Sequence, residues 1–484
     1  MARGILAYAP SRFIEPALAL VTLPILTRVL GAADYGDFQT IILAAGVLRI
    51  LLFDWVNNCA LRFHKPMESD LASYRTNLAA GLMIGTVASL PMAALAIWLM
   101  PGSEHSRLAL LGWLTVTVIA DGLARNQEMT LRAMQRPGAF SALRAGLSLA
   151  RHGLGLACLL LFSRDITAYF AGWAAGTIVL CLWACRTTGA FRGVRIAIVR
   201  RDRLVEFARF GLPLGVVLLT TAVQGTGMRY VLQYLAGSEA TGLFSAAYNL
   251  GSAPITVFQS VVMLGLYPLA INAFERDGRI DGVVRDGLRY FALLAIPVTT
   301  LVVILAEPVM SLLAGVEFTA AAQSLVILAV GGFLFGLSQY FSLGFLIAKR
   351  TGRWAAIQAT AAALNLGLAA ALVPRYGIDG AALATALAQG LTLAGSLTSG
   401  MGLGARAVPA RTFAYSVLSC LPMIAMSWAA RNWLAIGSLE TVSLVALAGG
   451  ALFVGFLLMT GELSREWNAA CEALRFRRRA RTEG

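Results

Sequence analysis

The chain has 484 residues, of which 58% are hydrophobic and 13% charged, with a formal net charge of +14. A soluble globular protein carries roughly 25% charged residues, so a water-soluble fold is excluded. Alternating ten-residue strands with charged turns are missing from the sequence, which argues against a membrane β-barrel.

Runs of about 20 apolar residues recur instead, each long enough to cross a ~30 Å hydrocarbon core as a helix. Taken in chain order, they predict fourteen spans near 9–30, 37–60, 76–99, 107–129, 139–162, 165–185, 209–236, 240–272, 285–312, 319–347, 351–373, 376–402, 410–430 and 436–460. MARGILAYAPSRF at the start is followed closely by Glu15, and Arg12 also interrupts its apolar run. The first span therefore reads as retained rather than as a cleaved signal.

Of the 39 Lys and Arg residues, 28 fall at the N-terminus, in the breaks after even-numbered spans or in the C-terminal tail. Four fall in the odd-numbered breaks (Arg107, Arg164, Arg375, Arg431), and seven lie inside spans. Positive charge marks the cytoplasmic side, so both termini are expected there. The net charge is then mainly a topology signal, and no nucleic-acid partner is expected. The tail RFRRRAR (475–481) and the linker VRRDRLVEFARF (199–210) read as topology determinants, with anionic lipid headgroups as the alternative role.

The odd-numbered loops hold about a dozen residues or fewer, too few for a catalytic domain on that side. No P-loop, GxSxG elbow or HExxH helix is present. Transport rather than catalysis is expected, without a cofactor. The cysteines (Cys59, Cys158, Cys181, Cys185, Cys420, Cys471) read as small buried hydrophobes, and no metal site is expected.

An internal repeat is visible. RFIEP (12–16) opens the first span and RFGLP (209–213) the seventh, while GAADYGDF (31–38) matches GSEATGLF (237–244) with Gly, Gly and Phe in register. The expected organisation is an N-terminal six-span lobe with its basic linker (1–208), a C-terminal six-span lobe (209–402), two additional spans (403–460) and a basic cytoplasmic tail (461–484). Six spans per lobe make the repeats parallel, related by an axis along the membrane normal. Prolines lie within spans at Pro16, Pro24, Pro91, Pro213, Pro254, Pro297 and Pro422. The two in the first span make it the candidate bending gate.

The arginines inside spans are Arg12, Arg28, Arg49, Arg125, Arg144, Arg151 and Arg229, against four carboxylates, Glu15, Asp54, Asp121 and Glu307. A charge at the bilayer centre costs at least ~2.5 kcal/mol, so seven guanidinium groups cannot all face lipid. Arg12, Arg28 and Arg144 are near enough to span ends to snorkel. Arg125 follows Asp121 by four residues and is expected to pair with it. Arg49 is midway along its span, and Asp54, five residues on, is too far round an α-helix to be an ideal partner. Arg151 shares a face with Arg144, and Arg229 has no acidic neighbour in sequence. Arg49, Arg151 and Arg229 are the principal candidates to line a cationic cavity, with Arg125 and Arg144 beside them. Guanidinium groups suit a phosphate-bearing substrate.

LTRVLGAADYGDF (26–38), ALRF (60–63), RFGLPL (209–214), MRYVLQYLAGSEATGLFSAAYNL (228–250) and NLGLAAALVPRYGIDGAALATALAQG (365–390) together resemble bacterial polysaccharide flippases of the Wzx type. These belong to the multidrug/oligosaccharidyl-lipid/polysaccharide (MOP) exporter superfamily. The resemblance implies an all-helical, V-shaped, two-lobed MOP/MATE-like fold in the bacterial inner membrane. It implies a substrate of undecaprenyl-pyrophosphate-linked sugar, moved to the periplasmic leaflet by alternating access for O-antigen or exopolysaccharide export, beside membrane lipids and other polysaccharide-assembly proteins. Lateral openings in relatives involve the first and eighth spans, which implies gating roles for Pro16, Pro24 and Pro254. Some relatives couple transport to protons, sodium or membrane potential, for which Asp54, Asp121 and Glu15 are the candidate groups. Relatives often carry Asp-Arg in the seventh span where this chain has Met228-Arg229, so coupling at that point is in doubt. Gln224, Asn249, Gln259 and Asn365 are candidates for sugar contacts, with helix–helix hydrogen bonding as the alternative. The rival functions are lipid II flippase, cation-coupled drug exporter and non-transporting scaffold of sugar-assembly enzymes.

Overall fold

A computed structural model describes residues 10–64, 70–98, 107–348, 350–398, 407–433 and 439–462. The side chains of Arg12, Pro16 and Gln224, and the tail beyond 462, lie outside that description. Every regular element among the described residues is a helix, and ten stretches are long and apolar enough to cross a membrane. The chain is a multi-pass, all-helical membrane protein.

Three of those ten stretches turn at a glycine beside a predicted break. Helix α1 (Pro10–Arg49) turns at Gly31. A π-helical turn (Ile50–Asp54) joins it to α2 (Trp55–Phe63). Helices α3 (Leu71–Trp98) and α4 (Arg107–Ala133) follow. The predicted fifth span is divided into α5 (Pro137–Leu149), a second π-helical turn (Ala150–Leu154) and α6 (Gly155–Leu161). Next come α7 (Ile166–Thr188) and α8 (Arg201–Gly251), which turns at Gly237. Beyond it lie α9 (Ala253–Asp277), α10 (Asp281–Ile304), the short α11 (Ala306–Val309) and α12 (Ala322–Ile347). Helix α13 (Thr351–Ser396) turns at Gly377, and α14 (Ala410–Trp433) and α15 (Leu439–Met459) complete the described chain. Pro24 lies inside α1, whereas Pro254 occupies the first turn of α9. It thus starts a helix rather than interrupting one, where its missing N–H costs nothing.

The chain forms two compact units. One comprises Met1–Ala246, Leu313–Phe318 and Gln358–Ala384; the other Ala247–Leu312, Thr319–Ile357 and Thr385–Gly484. In the first unit, the segments matched in sequence also match in conformation. Gly31 (φ 72°, ψ −179°) and Gly237 (φ 84°, ψ −176°) adopt the same left-handed turn, which an L-side chain resists. The helix restarting after Gly31 presents the Ala32 N–H to Glu317 Oε1 at 3.4 Å, placing a carboxylate at the positive helix end.

Five residues beyond each turn lies a second glycine, and these two pack on each other's backbone. A methyl group at Gly36 would overlap the Ser238 carbonyl, and one at Gly242 would overlap the Ala32 carbonyl. The contact is reciprocal, each glycine meeting the carbonyl four residues before the other. Beside it, buried Asp37 accepts hydrogen bonds from Gln233 Nε2 (3.0 Å) and Ser238 Oγ (2.5 Å). Phe38 and Phe244, the last residues of the matched segments, are both buried.

The second unit is built on an apolar core in which Ile255 and Leu266 of α9, Leu288 and Phe291 of α10 and Tyr340 of α12 cluster. Ser252 Oγ donates to the Leu328 carbonyl at 2.9 Å. Cys420, Met423, Phe453 and Leu457 attach α14 and α15 to the face of α10 carrying Ala292 and Ile296.

Gly36→Ala is expected to destabilise the protein by about 1–3 kcal/mol, the range for overpacking a tight contact, read as a fall in melting temperature in detergent. Gly46→Ala, on the same helix where a methyl group meets nothing within 4 Å, should leave it unchanged or raise it slightly, since alanine is the better helix former.

Candidate functional site

Lipid tails are as apolar as leucine, so helix association in a membrane depends on close packing rather than on hydrophobic burial. The first unit uses glycine pairs four apart for this purpose. Gly81 and Gly85 of α3 receive the first π-helical turn and the start of α2. A methyl group at Gly85 would stand 2.7 Å from the Leu52 carbonyl oxygen, and one at Gly81 would overlap Val56. Gly122 of α4 closes the other side on the Phe53 ring. Gly172 and Gly176 of α7 do the same for the second π-helical turn, lying on the Leu154 carbonyl and on Ala150.

Each turn carries a charge of the site. In a π-helical turn hydrogen bonds run i to i+5, so residues five apart come onto one face. Arg49 Nη1 consequently donates to Asp54 Oδ1 at 2.6 Å, which corrects the expectation that these two are badly placed to pair. Asp54 also accepts from Asn57 Nδ2 (3.2 Å). In the second turn lies Arg151, whose guanidinium carbon is 4.5 Å from the centre of the Trp173 ring, a cation–π contact. His152 Nδ1 meets Thr22 Oγ1 at 3.1 Å, tying the turn to α1.

Arg49, Arg151 and Trp173 help line a cavity of about 310 Å³ between α1, α4, α5, the second turn and α7. Four arginines line it: Arg49, Arg125, Arg144 and Arg151, together with Glu15, Asp121, Glu128, Ser148, Trp173 and Thr177. Arg151 is the centre of the network. It donates to Glu15 Oε1 at 2.9 Å and to Asp121 Oδ2 at 3.3 Å. Arg144 reaches the other oxygen of Glu15 at 3.6 Å. Arg125 pairs with Glu128 at 2.7 Å rather than with Asp121 as the sequence spacing suggested, because Asp121 is turned to Arg151.

The arginines of the cavity are thus paired with carboxylates. Four guanidinium groups face three carboxylates in the lining, and the fourth, Arg49, is matched by Asp54 just behind the wall. All four remain accessible, with side-chain exposures of 21% to 34%.

The other residues singled out by sequence are elsewhere. Arg229 is buried on α8, Asn365 is buried on α13, and Asn249 and Gln259 are half-buried on α8 and α9; none lines this cavity. Sequence reasoning missed Glu128, Trp173 and Thr177. Glu128 was detectable, since Asp121, Arg125 and Glu128 follow the i, i+4, i+7 pattern of one helix face. Trp173 carried no such signal.

A double-mutant cycle on Arg49→Gln and Asp54→Asn is expected to show a coupling of about 0.5–3 kcal/mol, as for groups in direct contact, by melting in detergent. Additive effects would contradict the π-helical geometry.

The solved structure of the lipid II flippase MurJ in an inward closed conformation is 14% identical, with a TM-score of 0.75, covering 95% of this chain and 99% of that one. An inward-facing multidrug resistance MATE family transporter of the MOP superfamily is 15% identical with a TM-score of 0.61, covering 82% and 98%. A MOP superfamily transporter from Pyrococcus furiosus, described as having a binding pocket of reverse polarity that suggests a different function, is 15% identical with a TM-score of 0.53, covering 83% and 96%. The chain shares the fold of these three structures. A search of the curated proteins returns no match. The model of the family described as polysaccharide biosynthesis protein matches residues 1–273, which include every residue of the charged cavity, and the chain belongs to that family.

Proposed function

We propose that this chain is a flippase for an undecaprenyl-pyrophosphate-linked oligosaccharide, carrying it from the cytoplasmic to the periplasmic leaflet of a bacterial inner membrane for O-antigen or exopolysaccharide export. The observation that carries the reading is the cavity with four accessible arginines, each held by a carboxylate, inside a membrane-spanning unit. Guanidinium groups bind phosphate oxygens through paired, charge-assisted hydrogen bonds. A diphosphate headgroup entering the cavity exchanges with Glu15 and Asp121 for Arg151, and with Glu15 for Arg144. The guanidinium charge is then compensated in both states, which avoids the large penalty for leaving an unpaired ion out of water. Glu15 and Asp121, once released, are the groups through which a proton or sodium ion would be coupled. Asp54 keeps Arg49 oriented.

The family points to sugar polymers as the end of the pathway, and the fold is one that transporters and flippases use. Lipid II is the alternative cargo, because it presents the same diphosphate chemistry. A cationic drug is disfavoured by the four guanidinium groups.

The test is translocation of a fluorescent polyprenyl-diphosphate sugar by the full chain in proteoliposomes. Arg151→Gln and Arg49→Gln are each expected to reduce transport about tenfold or more, because a hydrogen bond to a charged group contributes ~1.5–3 kcal/mol and each 1.4 kcal/mol is tenfold. Wild-type rates in both variants would overturn the site. Absence of transport by the native chain, with normal polymer assembly in cells, would favour the scaffold.

A further inference from the structure

A second cavity in the first unit, of about 200 Å³, lies between α3, α4 and α7 and shares no residue with the charged one. Its walls are graded along the helices. Leu82, Ala120, Leu123 and Ile178 lie toward the middle of their helices and are apolar. Arg75, near the start of α3, and Gln127 and Thr188, near the ends of α4 and α7, are polar and gather at the opposite end. Gln127 is itself occupied, accepting from Thr188 Oγ1 at 2.8 Å.

The apolar part opens toward the lipid. Ile178 and Leu182 line the cavity, yet are 47% and 55% exposed, as residues facing hydrocarbon are. A dry apolar cavity of about 150 Å³ admits a molecule the size of benzene, so this one admits a run of several methylene groups.

The polar end lies under the basic linker. Arg75 donates to the Thr188 carbonyl at 3.5 Å and to the Arg192 carbonyl at 3.3 Å. The Arg195 N–H donates to Thr76 Oγ1 (3.2 Å) and the Arg200 N–H to Asn77 Oδ1 (2.9 Å), so the linker is laced onto the first turns of α3. The two Arg75 bonds are long and engage two of its five N–H groups. Arg192 and Arg195 are exposed beside it, whereas Arg200 and Arg203 are matched by Asp202 and Glu206 at 2.8 Å each.

We propose that this cavity is the binding site of one anionic phospholipid, its acyl chain in the apolar part and its phosphate on Arg75 under the basic linker. The graded wall, the lateral opening between exposed aliphatic side chains and the positive rim each match one part of such a molecule. A lipid seated there joins α3, α4 and α7, the helices that carry the glycine pairs and part of the charged cavity, and it leaves the transport site open.

The test is native mass spectrometry of the full chain in mild detergent with equimolar phosphatidylglycerol and phosphatidylcholine. The native protein should retain one phosphatidylglycerol in preference to phosphatidylcholine. Ala79→Trp and Ile178→Trp, which fill the cavity from two sides, should reduce retention of both lipids at least fivefold. Arg75→Gln should abolish the preference and Arg75→Lys should keep it, a contrast that decides the matter even where a filling variant fails to fold. Native-level retention in a folded filling variant, an unchanged preference in Arg75→Gln, or displacement of the phospholipid by equimolar polyprenyl phosphate would each overturn the proposal.

Discussion

The first unit depends on backbones that approach where side chains would hold them apart. Gly81 and Gly85 receive one π-helical turn, and Gly172 and Gly176 the other. Neither turn has much to gain from hydrophobic burial in a lipid solvent, and a helix distorted in this way needs close contact to be held. The glycine pairs supply that contact. In return the turns place Arg49 beside Asp54, and Arg151 between Glu15, Asp121 and the Trp173 ring. A single added methyl at Gly172 meets the Leu154 carbonyl and would displace the helix that carries Trp173.

The charge pattern follows from the same geometry. Arginine is retained inside a membrane only where a counter-ion or water compensates it. Here each of the four cavity arginines has a carboxylate, yet each stays partly exposed. That combination suits an exchangeable site better than a permanent structural pair, which would be fully enclosed. It also makes Arg151 the pivot of the proposed mechanism, since two carboxylates converge on it and one of them, Glu15, is shared with Arg144.

Much of this was legible in the sequence. Apolar run length gave the helical membrane class, and the arginines in the greasy stretches marked four of the residues that line the cavity. The match of GAADYGDF with GSEATGLF was legible as a repeat, but the shared left-handed turn of its first glycines and the reciprocal packing of its second were not. What could not be read was the geometry between segments. Helix periodicity places residues five apart on different faces, so the Arg49–Asp54 pair was hidden until the π-helical turn brought them together. Asp121 was assigned to its neighbour Arg125 because only the three-dimensional fold delivers Arg151 to it. Charge counted along the chain gave an excess of positive groups; in space, Glu15, Asp121 and Glu128, with Asp54 of the first π-helical turn, balance the four arginines of the cavity.

Exchange of carboxylate for diphosphate at Arg151 is tested most directly by calorimetric titration of a short-chain isoprenyl diphosphate into the native chain, Glu15→Gln and Arg151→Gln. Removing the competing carboxylate should tighten binding severalfold in Glu15→Gln, while removing the guanidinium should weaken it in Arg151→Gln. Weakening of equal size in both variants would contradict exchange and make Glu15 a support for the arginines rather than their counter-ion in waiting.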